Sequence, residues 1–138
     1  MTFTYRILHV DDNKDSCELL SFILVNSGMN CEVISSDCAK VAIFLIANRS
    51  FDLYILDYVL PDVSGIDLCR LIRENDSETP ILFFTAMARH ADYVEGMNAG
   101  ANEYLVKPND LEKLPQVVEH LLNENASSNI ASFPKNLK

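Results

Sequence analysis

A doubly wound α/β fold, a parallel sheet with helices on both faces, is predicted by three features of this 138-residue chain. Five short segments rich in branched and aromatic residues recur along it, stretches with helical apolar spacing lie between them, and turn formers punctuate each change. Single helices joining successive strands make right-handed crossovers, which place the strands parallel and cover the sheet on both sides. A chain of this length buries about two-thirds of the surface it exposes when unfolded, enough for one domain.

The expected strands are YRILHV at 5–10, CEVIS at 31–35, DLYILD at 52–57, PILFFT at 80–85 and EYLV at 103–106. Leu20, Ile23, Leu24 and Ser27 mark the first helical face; Ala42, Ile43 and Ile46 the second; Leu68, Leu71 and Ile72 the third. A weaker stripe of Val94, Met97 and Asn98 gives the fourth helix, and Leu111, Leu114, Val118, Leu121 and Leu122 the fifth. Breakers close the helices at Asn26 to Asn30 with Gly28, Asn48 to Ser50, Asn75 to Pro80, and Gly100. Pro115 removes one backbone donor from the last helix, so its first turn is expected to be irregular. The domain is assigned to residues 1–125. Residues 126–138, polar and with Pro134, are expected to form a flexible tail.

Eleven Lys and Arg against twenty Asp and Glu leave a net charge of −9, with the basic residues scattered. Such a surface repels nucleic acid, so no nucleic-acid partner is expected. No apolar run approaches the ~18–20 residues of a membrane span, and residues 1–6 lack a signal-peptide pattern. A cytoplasmic protein with no membrane partner is the expectation. Cys17, Cys31, Cys38 and Cys69 form no CxxC pair and no zinc-type spacing, and are read as buried free thiols.

The chemistry-bearing residues fall at strand ends. Asp11 and Asp12 follow the first strand, and Asp57 ends the third. In open parallel sheets ligands bind beyond the carboxyl ends of the strands, where three clustered carboxylates repel one another unless protonated or bridged by a cation. Hard oxygen donors suit Mg²⁺, with Mn²⁺ as the alternative. Adjacent acids before a helix also serve simply as complements to its dipole, so Asp11 and Asp12 alone leave both readings open. Thr85 ends the fourth strand and Lys107 the fifth, bringing a hydroxyl and an ammonium to the same sheet edge, where together they could hold an anion.

The segments HVDD, LDYVLPDVSG, FFTA and YLVKP, in that order and spacing from about Tyr5 to Asn125, resemble response-regulator receiver domains. The resemblance implies the CheY-like, flavodoxin-like strand order 2-1-3-4-5, with the first and fifth helices on one face and the others opposite. It implies that Asp57 accepts a phosphoryl group from a phosphohistidine on a sensor histidine kinase or histidine phosphotransfer protein, in a two-component system or phosphorelay. Asp12 and Asp57 would ligate the metal directly and Asp11 mainly through water, with the Val59 carbonyl completing the set. Lys107 and Thr85 would contact phosphoryl oxygens, Thr85 and Tyr104 would form the switch, and Lys107-Pro108 would be cis. Tyr104 would turn inward when Thr85 moves towards the phosphoryl group.

Gly65 falls where the family turns into its third helix. Ala86 is the small residue that leaves access to the acceptor, and Val59 and Met87 flank the path of attacking water. Two positions depart from the family's pattern: Asn109 where a Phe is common, and His9, read as a packed or half-buried histidine, where an aliphatic residue is usual. Output would run through protein contacts with a downstream target, or with a second copy through the fourth helix, fifth strand and fifth helix.

The implied role is that of a signalling domain, not an enzyme, with only its own phosphotransfer and autodephosphorylation as chemistry. A haloacid-dehalogenase-type phosphatase would need a DxD unit after the first strand, and HVDDN has none. A nucleotide or flavin binder would need clustered glycines, and the four present are dispersed. A receiver piece of a larger hybrid kinase and a receiver-like binding module that is never phosphorylated remain as alternatives.

Overall fold

Parallel strands covered on both faces need apolar side chains in both directions, and β1 (Tyr5–Val10), β3 (Leu53–Leu56) and β4 (Ile81–Thr85) supply them. Four successive residues of β3 and all five of β4 are buried. β2 (Cys31–Ser36) and β5 (Glu103–Val106) lie at the edges, and the sheet order is β2-β1-β3-β4-β5 with every neighbouring pair parallel. The expected order is the observed one. The computed structural model describes the backbone of residues 3–136 and the side-chain surroundings of residues 3–125.

The helices are α1 (Lys14–Val25), α2 (Ala39–Asn48), α3 (Gly65–Asn75), α4 (His90–Ala99) and α5 (Leu114–Asn136). Side-chain parity divides the core between them. Ile7, Leu53, Ile55, Leu82, Phe84 and Leu105 pack with Leu20 and Leu24 of α1 and with Leu114, Val118, Leu121 and Leu122 of α5. Leu8, Val10, Leu56 and Phe83 face the other way, against Ala42 of α2, Leu68 and Ile72 of α3, and Ala99 of α4. Successive residues of one strand therefore serve opposite layers.

Local chemistry fixes the helix starts. The Asn13 side chain accepts from Ser16 N at 2.9 Å and Ser64 from Asp67 N at 3.1 Å, capping α1 and α3. α2 has no such cap of its own. Its first two amides, Ala39 N and Lys40 N, donate instead to the Asp62 carboxylate at 3.0 and 2.8 Å, a bond across the β3–α3 loop that no local pattern reveals. α4 ends on Gly100, whose φ of +119° is the left-handed conformation that favours glycine.

Several expectations are corrected. On α4 the buried residues are Asp92, Gly96 and Ala99, whereas Val94 is 39% exposed; of the expected stripe only Met97 packs against the core, and it is half-buried. Ile43 and Leu71 lie on the outer edge of their helices, at 43% and 40% exposure. Ser27 lies beyond the end of α1. Of the four thiols only Cys69 is buried; Cys17, Cys31 and Cys38 are half-buried. Pro115 lies in the first turn of α5, where an amide would find no partner in the helix, and a 3₁₀ turn at Leu111–Lys113 precedes it. The backbone of α5 continues to Asn136, into the segment expected to be a flexible tail. Residues 137 and 138 lie outside the described residues.

Candidate functional site

Asp11 and Asp57 come to the carboxyl edge of the sheet on adjacent strands, because β1 and β3 pair in register with Val10 opposite Leu56. Parity carries through the strand ends. Ile7, His9 and Asp11 alternate onto the α1/α5 face, as do Ile55 with Asp57 and Leu105 with Lys107. Lys107 Nζ lies 2.6 Å from Asp11 Oδ2 and 3.3 Å from Asp57 Oδ2, bridging the two carboxylates. Its ammonium also stands 5.3 Å from the centre of the Phe84 ring, whose face attracts cations. The Lys107-Pro108 peptide is cis, as expected.

From the opposite layer, Thr85 Oγ1 donates to Asp57 Oδ1 at 2.7 Å. Val59 N points to the same oxygen at 3.4 Å, and Met87 N donates to Thr85 Oγ1 at 3.3 Å. Asp57 is thus held by an ammonium on one oxygen and a hydroxyl on the other. Gly65 sets the floor: its N–H donates to Tyr58 O at 2.8 Å, and a Cβ there would collide with the Asp57 carbonyl oxygen.

Burial opposes the charge on Asp11, but the Lys107 hydrogen bond, the Asn13 amide and Ser16 outweigh it and hold the carboxyl below the ordinary carboxylate range. Asp11 is 1% exposed and therefore depends on these partners. Asp12 is exposed. Among the described residues no three Asp, Glu, His or Cys side chains gather as a metal site. The acidic cluster expected of Asp11, Asp12 and Asp57 is therefore present as the Asp11–Lys107–Asp57 bridge, with Asp12 outside it; the lysine balances the charge that a divalent ion would balance. The donor set of carboxylate and carbonyl oxygens suits a hard cation, and one cation, the ammonium, already bridges two of its members.

Tyr104 is inward, 9% exposed, with its hydroxyl donating to Met87 O at 2.7 Å. Thr85 is bonded to the Asp57 carboxylate while the Tyr104 ring is inward. Burial, then the Asp92 carboxylate, push the Tyr104 phenol up to about 12, so it remains a donor. The ring packs between Phe83 at 5.6 Å and Tyr93 at 5.8 Å, centre to centre. Gly96 makes room for it: a Cβ there would meet Tyr104 Cδ2 and Cε2 at 3.0 Å. Sequence reasoning missed the roles of Gly96, Phe84 and the Met87 carbonyl. No local signal marks them, since each acts on a residue brought near by the fold.

His9 is fully buried, and neither ring nitrogen has a hydrogen-bond partner among the described residues. Its Nε2 lies 3.7 Å from Asp11 Oδ2. Burial pushes it down to about 4, against the pull of Asp11 and with the help of Lys107. The packed histidine expected from the sequence is there, but it lies directly behind the site.

The model of the response regulator receiver domain family matches residues 7–119. The chain belongs to this family. It is similar to the transcriptional regulatory protein YrkP of Bacillus subtilis (strain 168), 43% identical over 80% of this chain and 46% of that one. It is likewise similar to the DNA-binding response regulator MtrA of Mycolicibacterium smegmatis, 36% identical over 90% of this chain and 53% of that one. The chain spans about half the length of these curated relatives. Among solved structures, the CheY-like receiver domain protein from Methanospirillum hungatei JF-1 superposes with a TM-score of 0.81, at 27% identity over 91% of this chain and 99% of that one. The response regulator TrrA of Thermotoga maritima, in complex with Mg(2+)-BeF, gives 0.76 at 29% identity over 85% and 98%.

The chain is thus a receiver domain of the two-component response-regulator kind, a signalling domain, and receiver domains of this family interact with histidine kinases. Phosphorylation and Mg²⁺ are typical of the family. Among the described residues no helix is long and apolar enough to cross a membrane.

Proposed function

We propose that Asp57 is the phosphoryl acceptor of this receiver and that Lys107, Thr85 and Asp11 support the transfer. The observation that carries the reading is the Asp57 carboxylate held between the Lys107 ammonium and the Thr85 hydroxyl at 3.3 and 2.7 Å. A carboxylate oxygen attacks the phosphorus of a phosphohistidine. The P–N bond breaks, the imidazole leaves with the electron pair and takes up a proton, and an acyl phosphate forms on Asp57. Lys107 and Thr85 reach the oxygens on which charge develops, and such positioning is where catalysis of these transfers chiefly lies.

Asp11, Asp12, Asp57 and the Val59 carbonyl would hold Mg²⁺ or Mn²⁺. When bound, the ion stabilises negative charge on the transferring group. Lys107, released from part of its bridging duty, then pairs with a phosphoryl oxygen. The same groups support self-phosphorylation from small acyl phosphates and slow autodephosphorylation.

Output runs through a reshaped surface of α4, β5 and α5, biased by Thr85 and Tyr104. Tyr93 and Val94 of α4, 44% and 39% exposed, give that surface apolar character suited to a downstream protein or a second copy. A cytoplasmic setting fits a histidine-kinase partner. The test is incubation of the protein with a small acyl phosphate and Mg²⁺, reading intact mass. One added phosphoryl group on the wild type and none on Asp57→Asn is expected. Equal incorporation in both, or incorporation that is indifferent to divalent ion, would sink the reading.

A further inference from the structure

The chemistry above makes no use of His9, yet its placement is unusual. Strand parity sends Ile7, His9 and Asp11 to one face, so the imidazole lies beneath the Asp11 carboxylate, with Ile55 alongside on β3. It is fully buried with both nitrogens unbonded among the described residues. An aliphatic side chain would fill this place without leaving a polar group unsatisfied, so a buried, unbonded imidazole calls for a partner acquired in another state.

A carboxylate acceptor, Asp11 Oδ2, lies 3.7 Å from His9 Nε2. That oxygen is occupied by Lys107 Nζ at 2.6 Å. Lys107 has a second carboxylate in reach, Asp57 at 3.3 Å, and a phosphoryl group carried there would compete with Asp11 for the ammonium. The Asp11 side chain has no solvent exposure, so water does not simply replace the departing donor. Oδ1 of Asp11 stays held by Asn13 N at 2.9 Å, which pins one oxygen and leaves the other to find a partner.

We propose that His9 is a positioning residue whose Nε2–H takes over Asp11 Oδ2 when Lys107 turns to a phosphoryl group on Asp57. The two donors alternate on one oxygen. A movement of about 0.5–1 Å brings the imidazole into hydrogen-bonding range, a shift a ring tilt can supply. The consequence is that Asp11 keeps its orientation towards the cation side of the pocket through the transfer, which an aliphatic residue at this position could not ensure. The inference rests on the proposed function of Asp57 and assigns no charge change to His9.

The test uses the full chain with ¹⁵N-labelled histidine, observed before and after phosphorylation by a small acyl phosphate and Mg²⁺, with intact mass read on the same sample. The expected result is a downfield shift and slowed exchange of the His9 Nε2 proton in the wild type, and none in Asp57→Asn. His90 and His120, both exposed, serve as internal references. His9→Leu should fold with a raised Tm but phosphorylate about tenfold more slowly, the loss expected for one hydrogen bond to a charged group. His9→Gln, which keeps a donor, should recover most of that rate. A phosphorylated wild type with an unchanged His9 signal, or His9→Leu phosphorylating at the wild-type rate, would overturn the inference while leaving the Asp57 reading intact. A wild type that takes no phosphoryl group would overturn both.

Discussion

The two layers of this molecule meet at Asp57 and treat it differently. On the α1/α5 side the carboxylate faces charge, Lys107 and then Asp11, with the buried neutral imidazole of His9 behind them. From the α2–α4 side it faces neutral donors, Thr85 with Met87 behind it and Tyr104 beyond. The first layer works by electrostatics in a setting where partners cannot be lost cheaply. The second works by shape, passing the position of one hydroxyl to an aromatic ring seated on Gly96. One residue thus couples a charge-balanced pocket to a packing-controlled surface, and perturbations of the two sides should have different signatures.

The largest expected effect comes from Lys107→Met in chelator. It leaves Asp11 and Asp57 facing each other without a cation and should cost about 3 kcal/mol in denaturant unfolding at neutral pH. Millimolar Mg²⁺ should restore part of that by binding the folded form only. A variant as stable as wild type without metal would remove the electrostatic half of the contrast.

Acid should next distinguish the layers. His9 has a folded value of about 4 against an ordinary 6.5, so the unfolded chain binds the extra proton and stability falls as pH drops from about 6.5 towards 4. Asp11 is lowered as well, so its contribution, present above the unfolded value, is lost as pH falls through its folded value. Metal-free stability should therefore decline through this window, and His9→Leu should flatten the upper part of the decline. A profile unchanged by that substitution would contradict the buried neutral imidazole.

On the packing side, Gly96→Ala adds a methyl 3.0 Å from the Tyr104 ring. Helix propensity favours Ala by up to about 1 kcal/mol, whereas overpacking costs about 1–3 kcal/mol. The expected outcome is a modest net loss with Tyr104 ring shifts moving towards solvent-exposed values, and with incorporation at Asp57 retained. An unmoved ring would show that the seat is looser than its geometry.

Thr85→Ala removes one hydrogen bond, about 1 kcal/mol, and should still accept a phosphoryl group at Asp57, more slowly, while uncoupling Tyr104 from it. Ring NMR shifts that still respond to phosphorylation would put the coupling elsewhere. The smallest effect concerns lifetime. Val59, 57% exposed, and the half-buried Met87 offer no side chain able to orient an attacking water strongly. Val59→Asn with Met87→Glu should speed loss of the phosphoryl group severalfold, read by mass over time; a slower decay would count against the assignment.

Strand alternation, helix breakers and the residues at the strand ends were all legible in the sequence, because each depends on periodicity or on residue type at a fixed place in the chain. So were Asp11, Asp57, Thr85 and Lys107, which reach one edge once the strands are ordered. The tertiary structure alone decided what those residues do to each other: that Lys107 bridges Asp11 and Asp57 and Asp12 lies outside the bridge. It also decided that α4 buries Gly96 and Ala99 rather than its larger residues, and that Asp62 caps α2 from another loop. His9 shows the division most clearly. A packed or half-buried histidine was the expectation there, and strand alternation puts it on the same side as Asp11; that it is fully buried, unbonded and 3.7 Å from Asp11 Oδ2 follows from the packing of α1, α5 and β3 around it.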